Sequence, residues 1–315
     1  MKIVFTDSDT VGRSGAELDK LNKFGEVVLY KNTLPEELAE RIADADIALC
    51  NKTIFSAEAM SKAPSLRYIG LFATGYNNID TDYTKKHGIT VCNAGSYSTD
   101  AVAQHTFALI LSHYSRVRDY DSFTKSGGWI KTEVFAPIMY EAHELSGKTI
   151  GIVGYGSIGR AVAKIARAFN MRVLCYSRSK KTDENAEYTD IDTLLSSSDI
   201  VTVHCPLNKE SEKMFNREAF SKFKEGALFI NTARGGVVDE QALCDALNSG
   251  HLGAAAVDTV CFEPMREDCP LLLAKNIIIT PHIAWADRET LSRLIDIVIG
   301  NIEAYLSGAP INTVY

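Results

Sequence analysis

The sequence predicts an α/β protein with doubly wound parallel sheets in two domains, and three observations predict it. Short β-branched runs alternate with longer amphipathic ones from end to end, the pattern of strands each returned by a helix. Gly154, Gly156 and Gly159 form a G-x-G-x-x-G triplet directly after one such strand and at the opening of a helix. The length of 315 residues exceeds what one hydrophobic core usually fills, since single cores stop growing near ~250–300 residues.

The first domain takes strands at 2–6, 26–30, 46–50, 67–70 and 89–92, with a helix at 34–43 whose Pro35 suits the first turn. A long helix starts at Thr99-Asp100, a suitable N-cap, and runs toward the turn at Gly127-Gly128, bridging the two domains. After Gly147 six strands follow at 148–153, 172–176, 199–203, 227–231, 253–257 and 276–280, a rhythm that suits a doubly wound nucleotide-binding domain. The last helix, 287–306, is expected to pack back on the first domain. The expected boundaries are therefore 1–98 with 290–315 for one domain and 99–289 for the other.

Hydrophobic residues at 46% and charged residues at 23%, with 21 Gly and 8 Pro spread along the chain, exclude disordered, collagenous and low-complexity classes. Against 40 acidic side chains stand 33 basic ones, a net charge of −7, so nucleic acid is not an expected partner. No apolar stretch reaches the ~18–20 residues of a bilayer span, and the opening residues pass straight into a strand pattern without a signal-peptide core. A soluble, cytoplasmic protein without a membrane partner is expected. The seven cysteines include no C-x-x-C pair and read as reduced thiols, mostly in the core, so no metal site is expected.

In the glycine triplet, Gly154 permits the tight turn, Gly156 brings the backbone close to a pyrophosphate, and Gly159 lets helix and strand pack closely. With the helix N-terminus facing the anion, a cofactor containing a diphosphate is expected. Ligands of open α/β sheets bind outside the carboxyl ends of the strands. There Arg234 follows ALFIN, Glu263 follows GAAAVD and His282 follows NIIIT. An arginine holds a carboxylate bidentately, a histidine exchanges a proton near neutral pH, and a glutamate orients the imidazole and stabilises its cation. Singly they also read as a turn arginine, a solvated acid and a structural histidine; together, beside a nucleotide loop, they read as acid-base machinery. His204 stands at a strand end near the cofactor.

The segments GYGSIGR (154–160), HCPLNKESEKMFN (204–216), FINTARGGVVDEQAL (229–243), AAAVDTVCFEP (254–264) and PHIAW (281–285) resemble the D-isomer-specific 2-hydroxyacid dehydrogenases, in order and spacing across essentially the whole chain. ATGYNNID (73–80), AGSYSTDAVAQH (94–105) and Trp285 look most like the glycerate dehydrogenase or hydroxypyruvate reductase branch. The resemblance implies two Rossmann-like domains, the outer one built from both chain ends and binding substrate, with the active site in the cleft between them. It also implies hydride transfer from a nicotinamide cofactor to a 2-keto acid such as hydroxypyruvate or glyoxylate. His282 would then protonate the forming alkoxide, Arg234 would bind the carboxylate, and Glu263 would stabilise the His282 cation.

Cofactor contacts are implied along the loop at Gly154, Tyr155, Gly156, Ser157, Ile158 and Gly159. Others are implied at His204, Cys205 and Pro206, and at Thr232 and Ala233 beside Arg234. Asp258 either faces the nicotinamide carboxamide or caps the next turn. On the substrate side, Thr74, Gly75 and Tyr76 either offer backbone N–H groups to the carboxylate or form an ordinary turn. Lys52 either lines the cleft or is a solvated lysine. The family's usual glutamate in its V-A-E segment is Gln104 here, which leaves the role of that position open.

Sites selective for NAD place Asp or Glu about 20 residues beyond the glycines. Here VLCY is followed by Ser177-Arg178-Ser179-Lys180-Lys181. Without a carboxylate to repel it, a 2′-phosphate can pair with Arg178 and Lys180 or Lys181 while Ser177 or Ser179 donates a hydrogen bond. NADP(H) is therefore expected over NAD(H), although a merely solvated basic loop would accept both. The long helix and the segment around Trp129 resemble the family's dimer arm, so a homodimer is expected. The rival reading is a dinucleotide-sensing, corepressor-like binding module of the same fold. No recruiting tail past Gly308-Ala309-Pro310 is read in the sequence, which favours the enzyme.

Overall fold

The computed structural model describes residues 1–11, 15–178 and 183–315. The chain forms two compact units, Met1–Ser98 with Trp285–Tyr315, and Thr99–Ala284. The chain re-enters the first unit at Trp285, ahead of residue 290.

In the first unit, β1 (Lys2–Phe5), β2 (Glu26–Leu29), β3 (Ile47–Cys50), β4 (Tyr68–Leu71) and β5 (Thr90–Cys92) form one sheet. Their order is β2-β1-β3-β4-β5, with every pair parallel. Side chains alternate across a strand, so β1 sends Ile3 and Phe5 to one face and Val4 to the other. The helix Arg288–Leu306 covers the first face with Leu294, Ile295, Val298, Ile299 and Ile302, spaced three and four apart along one stripe. Leu38, Ile42 and Met60 cover the second. The order reverses between β1 and β3, which makes the carboxyl ends of those two strands the ligand edge of this sheet.

The second unit contains β6 (Thr149–Val153), β7 (Arg172–Tyr176), β8 (Glu187–Tyr188), β9 (Ile200–Val203), β10 (Leu228–Asn231), β11 (Ala254–Val257) and β12 (Ile277–Ile279). They stand in the order β12-β11-β10-β9-β6-β7-β8, all parallel. Strands buried on both faces need continuous apolar runs, and IVTV, LFIN and AAAV are buried throughout. The reversal between β6 and β9 brings the glycine loop to the switch point. β8, with two residues, is too short to leave a period in the sequence and is an addition to the expected six strands.

The single helix expected from Thr99 to Gly127-Gly128 is two helices, Thr99–Ser115 and Val117–Lys125, broken where Arg116 adopts a left-handed φ of 53°. The first buries Ala103, Phe107, Ile110 and Tyr114 against the second unit's sheet, to which it belongs, whereas the second buries nothing. The apolar stripe that keeps the first helix straight ends at Tyr114. Among the described residues no helix is long and apolar enough to cross a membrane, and no group of three or more His, Cys, Asp or Glu is placed to hold a metal ion. All seven cysteines are free thiols, five of them buried.

Candidate active site

The glycine loop joins β6 to the helix Ser157–Ala168. Gly154 has φ +98°, and a Cβ there would stand 2.4 Å from the Cys205 nitrogen; one on Gly159 would stand 2.4 Å from the Gly154 carbonyl oxygen. Turn and packing thus demand glycine at both. At Gly156 a Cβ would meet nothing within 4 Å. This residue faces a cavity of about 490 Å³ and is the N-cap of the helix without a side-chain cap, so the first-turn amides are left for an anion. A pyrophosphate fits that cradle.

The cavity is walled by Gly154–Ser157 with Arg160, by Ser177 and Arg178 beyond β7, and by His204–Pro206 with Asn208, Glu210 and Ser211 beyond β9. The Ile158 side chain packs against the core, while its N–H is one of the first-turn amides of the helix. Thr232 and Ala233 are buried at the end of β10 rather than in this cavity wall. Ser179, Lys180 and Lys181 lie outside the described residues. The His204 imidazole bonds Thr202 Oγ1 at 3.0 Å through Nε2, while its buried Nδ1 has no partner among the described residues. Burial pushes its pKa down to about 3, so the ring is neutral. Arg160, Asn208, Glu210 and Ser211 were not singled out from sequence, although they lie in or beside the segments that carry the family resemblance.

The loops after β10, β11 and β12 carry Arg234, Glu263 and His282, the three residues expected to form the acid-base set. His282 Nδ1 and Glu263 Oε2 are 2.7 Å apart, with His282 the more covered of the two side chains. Glu263 Oε1 also accepts the Val260 N–H at 3.2 Å, so one carboxylate ties its own loop to the imidazole and leaves the opposite ring nitrogen, Nε2, for chemistry. Arg234 Nη1 donates to the Ala233 carbonyl at 2.7 Å, which fixes the plane of the guanidinium. Asn231, fully buried at the end of β10, accepts the Ala233 N–H through Oδ1 and donates from Nδ2 to the Arg234 carbonyl, both at 3.0 Å. Gly235 draws the two loops together: a Cβ there would stand 2.0 Å from the Val260 carbonyl carbon.

Asp258, 1% exposed, accepts the N–H groups of Ile283 and Ala284, each at 2.9 Å, and the Thr280 hydroxyl at 2.6 Å. Of its two readings, the turn cap is the one these hydrogen bonds display. The cap holds His282 at φ +56°, a left-handed conformation that costs a non-glycine residue energy and persists only where neighbours impose it. The helix Thr99–Ser115 braces both loops from one side. His105 Nε2 lies 3.2 Å from Thr280 Oγ1, and Thr106 Oγ1 lies 3.2 Å from Thr232 Oγ1. Gln104, between those rungs and the preceding turn, is exposed.

In the first unit, Asp7 beyond β1 is 1% exposed and accepts three backbone N–H groups beyond β3, from Asn51 at 2.9 Å, Lys52 at 2.6 Å and Thr53 at 2.8 Å. The Lys52 side chain is exposed. Asn93 Nδ2 donates to the Thr74 carbonyl at 2.7 Å, and the Thr74 hydroxyl donates to the Gly95 carbonyl, which anchors the Thr74-Gly75-Tyr76 turn beyond β4.

The family model described as D-isomer specific 2-hydroxyacid dehydrogenase, NAD binding domain, matches residues 107–284. The chain belongs to that dehydrogenase family. This dehydrogenase is 42% identical to the hydroxypyruvate reductase of Blautia hydrogenotrophica, over 100% of this chain and 99% of that one. To the glycerate dehydrogenase of Methylorubrum extorquens it is 35% identical, over 99% and 98%. Among solved structures it is similar to an acyclic imino acid reductase in complex with NADPH and D-Arg, with a TM-score of 0.88 and 32% identity over the full length of both. A D-lactate dehydrogenase from Aquifex aeolicus complexed with NAD and lactic acid gives a TM-score of 0.86 and 32% identity, over 99% and 98%. The reaction of this dehydrogenase is hydride transfer between a nicotinamide cofactor and a 2-keto or 2-hydroxy acid. Both curated relatives carry enzyme names, and the binding-module alternative has no support from them.

Proposed function

We propose that the enzyme reduces hydroxypyruvate or glyoxylate, to D-glycerate or glycolate, with NADPH preferred over NADH, as a cytoplasmic homodimer. The observation that carries the acid-base assignment is the 2.7 Å contact of Glu263 with His282 Nδ1, at the strand ends where such folds bind ligands. When bound, the nicotinamide supplies the hydride. The imidazolium of His282, stabilised by the Glu263 carboxylate, gives its Nε2 proton to the alkoxide oxygen. The Arg234 guanidinium holds the substrate carboxylate through the donors that Ala233 does not take, and its charge polarises the neighbouring carbonyl. In the first unit the same reading assigns Lys52 and the Thr74-Gly75-Tyr76 turn to substrate binding.

The names of the two curated relatives support the small 2-keto acids. Preference for NADPH is supported by Ser177 and Arg178 in the cavity wall beyond β7, which among the described residues contributes no carboxylate of its own; the Glu210 carboxylate that meets Arg178 comes from the wall beyond β9. The dimer is supported by an exposed apolar segment in the second unit, where Ile130 and Ile138 are 89% exposed and Phe135 is 91% exposed. Rates for a panel of 2-keto acids with each cofactor test the first two parts. The expected result is the highest kcat/KM for hydroxypyruvate or glyoxylate, with a ratio for NADPH over NADH above one that drops in Ser177→Asp. A native ratio below one refutes the preference. Light scattering after gel filtration tests the dimer.

A further inference from the structure

The two arginines that line the cofactor cavity are each held by an acid, and the two pairs differ in kind. Arg160 Nη1 donates to Asp183 Oδ2 at 2.7 Å. That carboxylate is only 11% exposed and is locked by the backbone and side-chain N–H groups of Asn185. Arg178 Nη1 donates to Glu210 Oε2 at 2.6 Å, and both side chains are exposed, at 67% and 70%. Arg178 belongs to the wall beyond β7 and Glu210 to the wall beyond β9, so this pair spans the cavity rim.

The loop itself sets where Glu210 sits. Asn208 Oδ1 accepts the N–H groups of Glu210 at 2.9 Å and Ser211 at 3.1 Å, and Ser211 Oγ donates to the Pro206 carbonyl at 2.6 Å. With its backbone pinned at the rim, the Glu210 side chain reaches the guanidinium from a fixed base.

We propose that Glu210 is a specificity-determining residue whose carboxylate competes with the 2′-phosphate of NADPH for the Arg178 guanidinium. This deepens the NADPH reading and rests on it. A guanidinium binds carboxylate and phosphate through the same planar fork, so the phosphate takes Arg178 only by displacing Glu210. A ribose with a free 2′-hydroxyl makes no such demand. Exposed ion pairs are weak, so the exchange is easily made, and Glu210 sets its extent. Arg160 is the more firmly held of the two, because Asn185 holds its acid in place.

The test is titration calorimetry of the full chain with adenosine 2′,5′-bisphosphate and with AMP. The proteins are the native chain, Glu210→Gln, Arg178→Gln and the double variant. Glu210→Gln is expected to raise the ratio of the two affinities about fivefold, as release of a guanidinium from an exposed ion pair does. Arg178→Gln is expected to lower the ratio. Adding Glu210→Gln to Arg178→Gln is then expected to change it by less than about twofold, since the competition is gone. The kcat/KM ratio for NADPH over NADH is expected to follow the same order. An unchanged ratio in Glu210→Gln overturns the proposal, and so does a rise that persists in full without Arg178, which reports a general charge effect. A native ratio below one counts against NADPH preference alone and leaves the Glu210 comparison in force.

Discussion

Gly235 and Val260 touch backbone to backbone. A Cβ on Gly235 would lie 2.0 Å from the Val260 carbonyl carbon and 2.4 Å from the Cys261 nitrogen, so the loop bearing Arg234 and the loop bearing Glu263 are pressed together at a point that admits only glycine. Neither wall of that contact is a flexible side chain that can swing aside.

Gly235→Ala is therefore expected to force the two loops apart and misplace Arg234 against Glu263 and His282. Misplacements near 1 Å cost on the order of 10²-fold in rate, so kcat/KM is expected to fall by about that factor while cofactor affinity stays within about twofold. Gly236→Ala is the matched control, because its Cβ would meet only the end of the Leu207 side chain, at 2.9 Å. Steady-state kinetics of both variants check this. Equal, small effects would show that the loops move independently.

Glu263→Gln keeps the shape of the contact with His282 Nδ1 but removes the charge that stabilises the imidazolium. Reduction needs a proton from the ring, so kcat/KM for the keto acid is expected to fall about tenfold or more while cofactor affinity stays within about twofold. A variant that keeps the native kcat/KM would show that the Glu263 charge takes no part in the reaction.

Arg234→Ala is expected to lower kcat/KM by about 3–5 kcal/mol, with KM rising and kcat falling together, because carboxylate binding and carbonyl polarisation are lost at once. Arg234→Lys is expected to recover little, since a point charge cannot reproduce the fork that Ala233 holds in plane. An alanine variant with most of its kcat/KM intact would remove Arg234 from the reaction.

His204 offers a readout in stability. Burial pushes its folded-state pKa down from 6.5 to about 3, so below 6.5 the unfolded chain takes up a proton that the folded chain refuses. Its contribution to stability is thus level above pH 6.5 and declines as pH falls from there toward 3. From pH 7 to pH 5 the decline is about 1–2 kcal/mol. Urea unfolding at both pH values is expected to show a smaller acid loss for His204→Gln by about that amount. An equal loss in the two proteins would mean that the ring is solvated.

Much of the fold was legible because parallel strands buried on both faces must be almost continuously apolar, as LFI and AAAV are. Charged residues in the loops that follow such runs then stand out, and that is how Arg234, Glu263 and His282 were singled out. What escaped was tertiary. Asn231 reads as the last residue of a strand until its amide is seen holding both sides of the Arg234 loop. Arg178 reads as an available cation until Glu210, 32 residues away in sequence, is seen to hold it. The break at Arg116 was missed because Val117–Lys125 continues the helical pattern after the buried stripe has ended.

The three amides that Asp7 gathers beyond β3 bear on the cost of recognition. Ordering a residue's backbone costs about 1–2 kcal/mol in entropy. Here that loss is incurred when the chain folds, because Asn51, Lys52 and Thr53 are already fixed before any ligand arrives. A ligand that meets this loop meets a backbone already in place, and a substitution of Asp7 would be felt as weaker binding even though Asp7 itself, almost wholly buried, offers a ligand no surface.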